Sequence, residues 1–526
     1  NPKPQTPNPK PQTPNPEVRS DCNMDKQPVL TTDTMGVQYA VPDKPIYPNE
    51  ATYGQGWKRP KVYKVCLTGG PCAGKTSASS MLKDRLSSRY QMFFLPEMAS
   101  LTIHAGVNII PSEFTPETHQ IFTESIMKVQ MELEDYYSAI AAIQKRDVII
   151  ICDRGCIDNL AYCSKEVKEK ILHDSGWTME KIRDERYDAV IHLVTAADGA
   201  EKFYTLQNNT ARSETPEVAR WLDKRTQAVW NGHPNFQIIS NHKVESFKHK
   251  MDEVYRAICR VIDVPEEPTF VRKYLLQGPF DVKMLPPEYS PECFIEIIVF
   301  LKSVDPNYQI SIKRRITCKT KGETFTLAKR RLGKTDAERL ELVRILTPRD
   351  YDDLYVWRNK KLYPVTKEVN MFLYQNENCQ VETFSYGPNT ISTLRTYVMD
   401  PSYSNVPPFL PIDKEITEDP EFFTQILAKT KQLDKITEDH NIMMRPHIPA
   451  SAEMIVEQVY SPCLKDLIQR QFKLEDIFGP GVEFPVEEDI GMTPTSTGEC
   501  GSPSLGFTEA ATHSESQSTK PSNNPS

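Results

Sequence analysis

The chain has 526 residues, 39% of them hydrophobic, with 63 Lys and Arg against 71 Asp and Glu for a net charge of −8. At roughly 150 residues per domain this length allows two or three domains with a sizeable core, and the acidic balance gives no bulk basic field of the kind nucleic acid requires. No apolar run reaches the ~18–20 residues of a membrane span, and the opening Asn-Pro-Lys-Pro lacks the apolar core of a signal peptide, so integral membrane and secreted classes are both set aside.

The twelve cysteines are scattered, with no C-x2-C spacing of a zinc site. Cys66, Cys152 and Cys259 sit in apolar stretches and read as small buried hydrophobes. Reduced thiols in a cytoplasmic protein, peripheral on membranes at most, are the expectation; pairing stays open.

Residues 1–16 repeat NPKPQTP and contain seven prolines, a composition too solvated and extended to build a core. A disordered tail is expected over 1–60, and a second over 486–526, where Ser, Thr, Gly and Pro dominate. Between them the texture changes once. Over 61–264, strand-like runs at 62–68, 92–95, 148–152, 189–194 and 237–239 alternate with amphipathic stretches, the pattern of a parallel sheet with helices on both faces. A long helix carries Phe122, Ile126, Val129, Leu133, Tyr136 and Ile140 at spacings of three and four; it reads as an internal helix packed on the sheet, the alternative being a coiled-coil seam. Pro265 to Pro268 reads as a linker. Over 268–485, strands at 294–301, 308–317, 324–329, 369–374 and 380–384 imply an antiparallel sheet or barrel, with helices expected at 334–345 and 453–472.

Gly69, Gly70, Pro71, Cys72, Ala73, Gly74, Lys75 and Thr76 spell G-x4-G-K-[ST] between an apolar strand and an amphipathic helix. Glycines let backbone N–H groups wrap phosphates, and the helix N-terminus adds partial positive charge. Lys75 would reach the β- and γ-phosphates, and the Thr76 hydroxyl would bind Mg²⁺. Asp153 ends a second apolar strand at the sheet edge where ligands of open α/β sheets sit. It is a candidate for the Mg²⁺ shell, with Arg154 as a phosphate clamp; a solvated Asp-Arg turn is the bland reading. Asp158 reads as a helix cap. Glu97, at the end of another strand, is either a general base for an acceptor hydroxyl or an acidic helix start. The polar stretch holding Arg212 and Arg220 is either a lid that brings an arginine onto transition-state charge or an ordinary solvated helix.

Together Gly69 to Thr76, Pro96-Glu97, Asp153-Arg154-Gly155, Arg212 with Glu214 and Leu222-Asp223 resemble the P-loop domain shared by the nicotinamide riboside kinase part of the bacterial NadR regulator and the family of TRPL translocation defect protein 14.

In the second half, the strand 308–317 places Lys313 and Arg315 on one face and Arg314 on the other, and the next strand ends in Lys329, Arg330 and Arg331. Six cations on neighbouring strands repel unless an anion or acids sit between them, and Arg suits phosphate; a charged edge strand that discourages aggregation is the alternative. The region from about 270 to 427 resembles the CYTH-like triphosphate-tunnel barrels, although only Glu296 and Glu382 remain of the acids such a hydrolase uses. An anion-binding barrel is therefore the expectation.

The domain order strengthens the resemblance to the TRPL translocation defect protein 14 family. That resemblance implies GTP binding by the first domain and phosphoinositide binding by the second, in trafficking or internalising a membrane protein such as a TRPL-type ion channel. The chain has no N-K-x-D base-reading tetrapeptide, so guanine over adenine rests on the resemblance, with Ile239-Ser240-Asn241 as a weak base-pocket candidate. The rival readings are an ATP-dependent small-molecule kinase, a triphosphatase or cyclase seated in the barrel, and a scaffold that holds nucleotide only for stability.

Overall fold

The computed structural model describes residues 60–107, 113–204, 215–262, 264, 269–332, 338–386, 389–398, 405–429 and 436, together with a short antiparallel ribbon of β1 (Leu30–Thr32) and β2 (Gln38–Ala40). The tail over 486–526, the helix expected at 453–472, the linker from Pro265 to Pro268 and Arg212 lie outside the described residues, as does most of 1–60.

Strands β3 (Val62–Gly69), β4 (Gln91–Leu95), β5 (Val148–Asp153), β6 (Ala189–Leu193) and β7 (Phe236–Ile239) form a parallel sheet in the order β4-β5-β3-β6-β7. Their sequences are mainly apolar because both faces are covered, with Lys64, His192 and Gln237 as polar interruptions. On one face Val65, Leu67, Ile149, Ile151, Ile191 and Leu193 pack against α1 (Lys75–Leu86) and α6 (Phe247–Val261). On the other, Cys66, Val148, Ile150, Cys152 and Val190 meet α3 (Pro116–Ala142), α4 (Lys165–Ser175) and α5 (Pro216–Trp230). Cys66, Cys152 and Cys259 are buried. A short α2 (Met98–His104) follows β4.

The long helix is internal, but the stripe it buries differs from the apolar one. Gln120, Thr123, Ile126, Met127, Gln130, Glu134 and Ala141 face inward, while Val129 and Tyr136 are exposed. Polar residues occupy the inner face because each is satisfied there: Tyr187 Oη donates to Glu134 Oε1 at 2.7 Å, Arg186 Nε donates to Oε2 at 2.5 Å, and Gln130 Nε2 donates to Arg154 O at 3.1 Å.

The described strands of the second half form one antiparallel sheet, β12-β11-β10-β9-β13-β14-β15-β8-β16, from β8 (Thr269–Leu276), β9 (Glu292–Phe300), β10 (Tyr308–Thr317), β11 (Glu323–Arg331), β12 (Glu338–Leu346), β13 (Val365–Tyr374), β14 (Glu377–Tyr386), β15 (Asn389–Val398) and β16 (Ile412–Glu415). The expected barrel is corrected to a sheet. Among the described residues the pairing of β12 with β8 covers Glu338↔Phe270 and Arg339↔Thr269, whereas β10 and β11 pair over nine residues. The helix expected at 334–345 is also corrected: from Glu338 on, the segment is strand β12, laddered to β11 from Phe325↔Leu346 to Arg331↔Leu340. Its Glu, Arg and Leu content favours helix locally, but pairing and the burial of Leu342 and Leu346 override that preference. Helix α7 (Pro348–Tyr355), opened by a Thr347–Asp350 capping box, covers the apolar face of β10 to β12 through Tyr351 and Leu354. No helix among the described residues is long and apolar enough to cross a membrane.

Candidate nucleotide site

The phosphate loop turns sharply between β3 and α1. Gly69 has φ +144, and a Cβ there would lie 2.1 Å from Leu193 O; Gly74 has φ +96 and opens α1. No side chain caps α1, which leaves the N–H groups of its first turn for an anion. The loop is pinned from behind. Gly70 N–H and Thr195 N–H donate to Asp223 Oδ1 at 2.8 and 3.1 Å, and Thr195 Oγ1 donates to Pro71 O. Burial pushes the Asp223 carboxyl up, but His192, the Gly70 amide and Gln227 outweigh it and hold it below the ordinary range. Asp223 therefore stays an acceptor for the loop.

Lys75 Nζ donates to Gly69 O at 3.3 Å, and burial together with Arg154 lowers its proton affinity, against the opposing pull of Asp153 and Glu97; a phosphate would add to that counter-charge. Asp153, at the end of β5, has a buried Oδ1 without a hydrogen-bond partner, and burial raises its pKa. The Thr76 hydroxyl is on the exposed first turn of α1. An orphaned carboxylate oxygen and a hydroxyl are the donor types Mg²⁺ takes when nucleotide phosphates and water complete its shell, so Asp153 and Thr76 fit the ion. Among the described residues no group of three His, Cys, Asp or Glu side chains could hold a metal by itself.

Arg154 has φ 70 and donates through Nε to Glu97 Oε1 at 2.6 Å, while its buried Nη1 has no hydrogen-bond partner. Burial works upward on Glu97, but Arg154, Lys75 and Ser100 hold it down to about 2. Asp158 is a cap: its carboxylate accepts from Gly155 N–H, Thr68 Oγ1 and Trp230 Nε1, each at 2.8 Å. Arg220 donates to Ala197 O at 2.7 Å and pairs with Glu217 on the same helix.

A cavity of about 760 Å³ opens from the loop, lined by Gly74, Lys75, Thr76, Phe203, Phe247 and Lys250 among others. Asn241 also lines it, yet its amide is spent on the carbonyls of Val194, Thr195 and Asp198 and its Oδ1 on Lys250. Asn241 builds the wall and has no amide left to read a base. Burial lowers Lys250 to about 8. A second cavity of about 280 Å³ lies against Arg154 and Glu97, bounded by Gln130, Asn159, Phe122 and Tyr162.

Of the six cations singled out in the second half, two come together. Lys313 and Arg315 both donate to Glu296 Oε1, at 3.2 and 2.7 Å. Arg314 turns to the other face and pairs with Glu323. Cross-strand partners share a face, so Arg330, opposite Gln309, lies on the Lys313 side, whereas Lys329, opposite Ile310, and Arg331, opposite Tyr308, lie with Arg314. The Lys329 ammonium sits 4.8 Å from the centre of the Tyr308 ring. The expectation missed Lys367, 3.2 Å from Glu296 and 2.5 Å from Glu382, and Arg395, which donates to Glu382 at 3.4 Å. Lys273, beside Glu382, completes the group. The signal of Lys367 and Arg395 was a lone cation at an inward register position of a strand. The role of Asp223 had a similar one, an acid on the buried face of α5 between Leu222 and Thr226.

No curated protein shows significant similarity to the chain. Among solved structures, "The crystal structure of the hypothetical protein NE1496" matches at 13% identity and TM-score 0.22, covering 31% of this chain and 98% of that one. "The crystal structure of the inorganic triphosphatase NE1496" matches at 12% identity and TM-score 0.22, covering 31% and 97%. Likenesses so distant decide neither fold nor activity. The profile of the AAA domain family matches residues 64–246, the span that holds the phosphate loop, Asp153, Arg154 and Asp223. That span is an AAA-type P-loop domain, the nucleotide-binding part of this chain.

Proposed function

We propose that this chain is a magnesium-dependent GTP-binding protein whose antiparallel sheet takes the polyanionic head group of a phosphoinositide, acting at a membrane surface in the movement or internalisation of a membrane protein such as an ion channel. The observation that carries nucleotide binding is the donor set at the phosphate loop: uncapped α1, Lys75 held at the loop by Gly69 O, and the orphaned Asp153 Oδ1. Guanine, the channel and trafficking come from the resemblance to the TRPL translocation defect protein 14 family. The head group is supported by charge. Lys273, Lys313, Arg315, Lys367 and Arg395 gather around the two carboxylates of Glu296 and Glu382, so cations are in excess, and Arg forks suit phosphate.

Calorimetric titration of the full chain with GTP and with ATP in Mg²⁺ tests the first half. GTP binding that weakens at least ~100-fold in Lys75→Ala, a loss of ~2.7 kcal/mol, is the expected result; absence of binding by either nucleotide overturns it. Flotation with vesicles containing a phosphoinositide, against phosphatidylserine vesicles of equal charge, tests the second. Equal binding to both would reduce the sheet to a nonspecific cation surface.

The second cavity favours one other reading, transfer of the γ-phosphoryl group to a small hydroxyl acceptor seated against Arg154. In that reading Arg154 Nη1 meets the transferred group. A carboxyl held at about 2 is a weak base at neutral pH, so Glu97 would chiefly orient Arg154. ATP-dependent phosphorylation of an acceptor, abolished by Arg154→Met, would establish it.

A further inference from the structure

The phosphate loop is fastened on its far side by a side chain from the other domain. The β13–β14 hairpin closes in a two-residue turn, Gln375–Asn376, with φ values of 47 and 60, a left-handed pair that Asn tolerates well. Beside it the buried Glu377 is ion-paired with Lys243 of the P-loop domain, which fixes where the turn sits. From there Asn376 makes two contacts with residues that back the nucleotide site. Gln227 Nε2 donates to Asn376 Oδ1 and to Asp223 Oδ2, both at 2.9 Å. Asn376 Nδ2 donates to Asp198 Oδ2 at 3.0 Å.

The Gln227 contact leads to the loop through Asp223, and the Asp198 contact leads to the wall of the nucleotide cavity. Asp223 is the acceptor for the Gly70 and Thr195 amides. Asp198 lies between Ala196 and Gly199, which line the nucleotide cavity, and its carbonyl accepts from Asn241 Nδ2 at 2.7 Å. Gln227 has two amide hydrogens, and both are used. Removing the Asn376 acceptor leaves one of them without its partner and lets the Gln227 side chain rotate away from Asp223. The Asp223 carboxylate then loses the contact that holds its Oδ2, and its orientation toward the Gly70 amide rests on Thr195 N–H and His192 at Oδ1 alone.

We propose that Asn376, acting through Gln227 and Asp223, is a positioning residue for the phosphate loop, so that the nucleotide site is completed by the sheet domain. The inference rests on nucleotide binding at this loop, and its test separates the two. Asn376→Gly keeps the left-handed turn open to the backbone while deleting both contacts. In the unliganded full chain, hydrogen exchange at the Gly70 and Thr195 amides is expected to accelerate at least ~5-fold, with exchange in β3 and β5 unchanged. This readout needs no nucleotide. In calorimetry the Kd for Mg–GTP is expected to rise ~5–10-fold, and Asn376→Gly added to Asp223→Asn is expected to cost little more. Unchanged exchange at Gly70, or additive effects in the double variant, would overturn the proposal and leave Asn376 as an interface residue only. Faster exchange in a protein that binds no nucleotide would sustain the positioning role and sink the nucleotide reading instead.

Discussion

Gly155 has an ordinary φ of −101, so its lack of a side chain answers to space rather than to backbone freedom. A Cβ there would lie 2.6 Å from the Trp230 ring, the largest fully buried side chain among the described residues, whose Nε1 is tied to Asp158. Gly155→Ala is therefore expected to cost about 1–3 kcal/mol by overpacking, read as a lowered denaturant midpoint with an unchanged slope. An unaltered midpoint would mean that the ring can shift, which its hydrogen bond argues against. Paired with Arg154 next to this glycine, Glu97 is held to about 2 against an ordinary 4.5. Its folded pKa lies below its unfolded one, so the stability it contributes is present above ~4.5 and is lost as pH falls from there towards 2. The difference in denaturant midpoint between wild type and Glu97→Gln should accordingly narrow between pH 6 and pH 3; a constant difference would place the Glu97–Arg154 pair outside the folding balance. At this scale the sequence was legible where one residue type has one use. The glycines and Lys75 of the loop and the cap at Asp158 could be read directly. Asp223 could be named only as part of a resemblance, because a carboxylate seen in a helix does not disclose which distant amide it accepts from.

Elements were legible where hydrophobicity alone decides them, as in the runs of β3 and β5, and less so where polar groups are buried in pairs. In α3 the inward face carries Gln130 and Glu134, whose partners Arg154, Arg186 and Tyr187 lie 24 to 53 residues away, and no periodicity contains that information. Strand β12 failed for the complementary reason: helix-favouring residues were outweighed by a ladder to β11. The strands of the charged face yield their own expected outcome. Glu296 stands directly across from Arg315 on β10 and from Lys367 on β13, with Lys313 also in reach. Replacing it leaves three buried or half-buried cations facing one another. Glu296→Ala is thus expected to destabilise the protein by about 3–5 kcal/mol, and millimolar inorganic triphosphate is expected to restore part of that loss in a thermal melt. Destabilisation without any rescue would argue that the sheet has no room for an anion.

For the molecule as a whole, the two sheets are joined by buried polar contacts. Arg183, with 1% of its side chain exposed, binds Asp184 within its own domain, then reaches Glu292 of β9 at 2.7 Å and the Asn231 carbonyl at 2.6 Å. Arg315 of β10, already tied to Glu296, donates to Gly232 O at 2.7 Å, and Thr317 and Thr320 donate to Glu180. These are partnerships that cannot be loosened one side at a time, because each leaves a buried charge or carbonyl unsatisfied. The boundary between domains could be read from a change in texture along the chain, but not this seam, whose members have no shared spacing. A ligand that binds only the folded state stabilises it by ~2.7 kcal/mol at 100 times its Kd. If the seam makes unfolding a single step, that gain must appear in both domains. Hydrogen exchange under mild denaturant, with and without Mg–GTP, should therefore shift the opening of peptides from β9 and β10 as far as that of peptides from β3 and β5. A shift confined to the P-loop half would mean that the domains open independently, and that the charged seam orients them without coupling their stability.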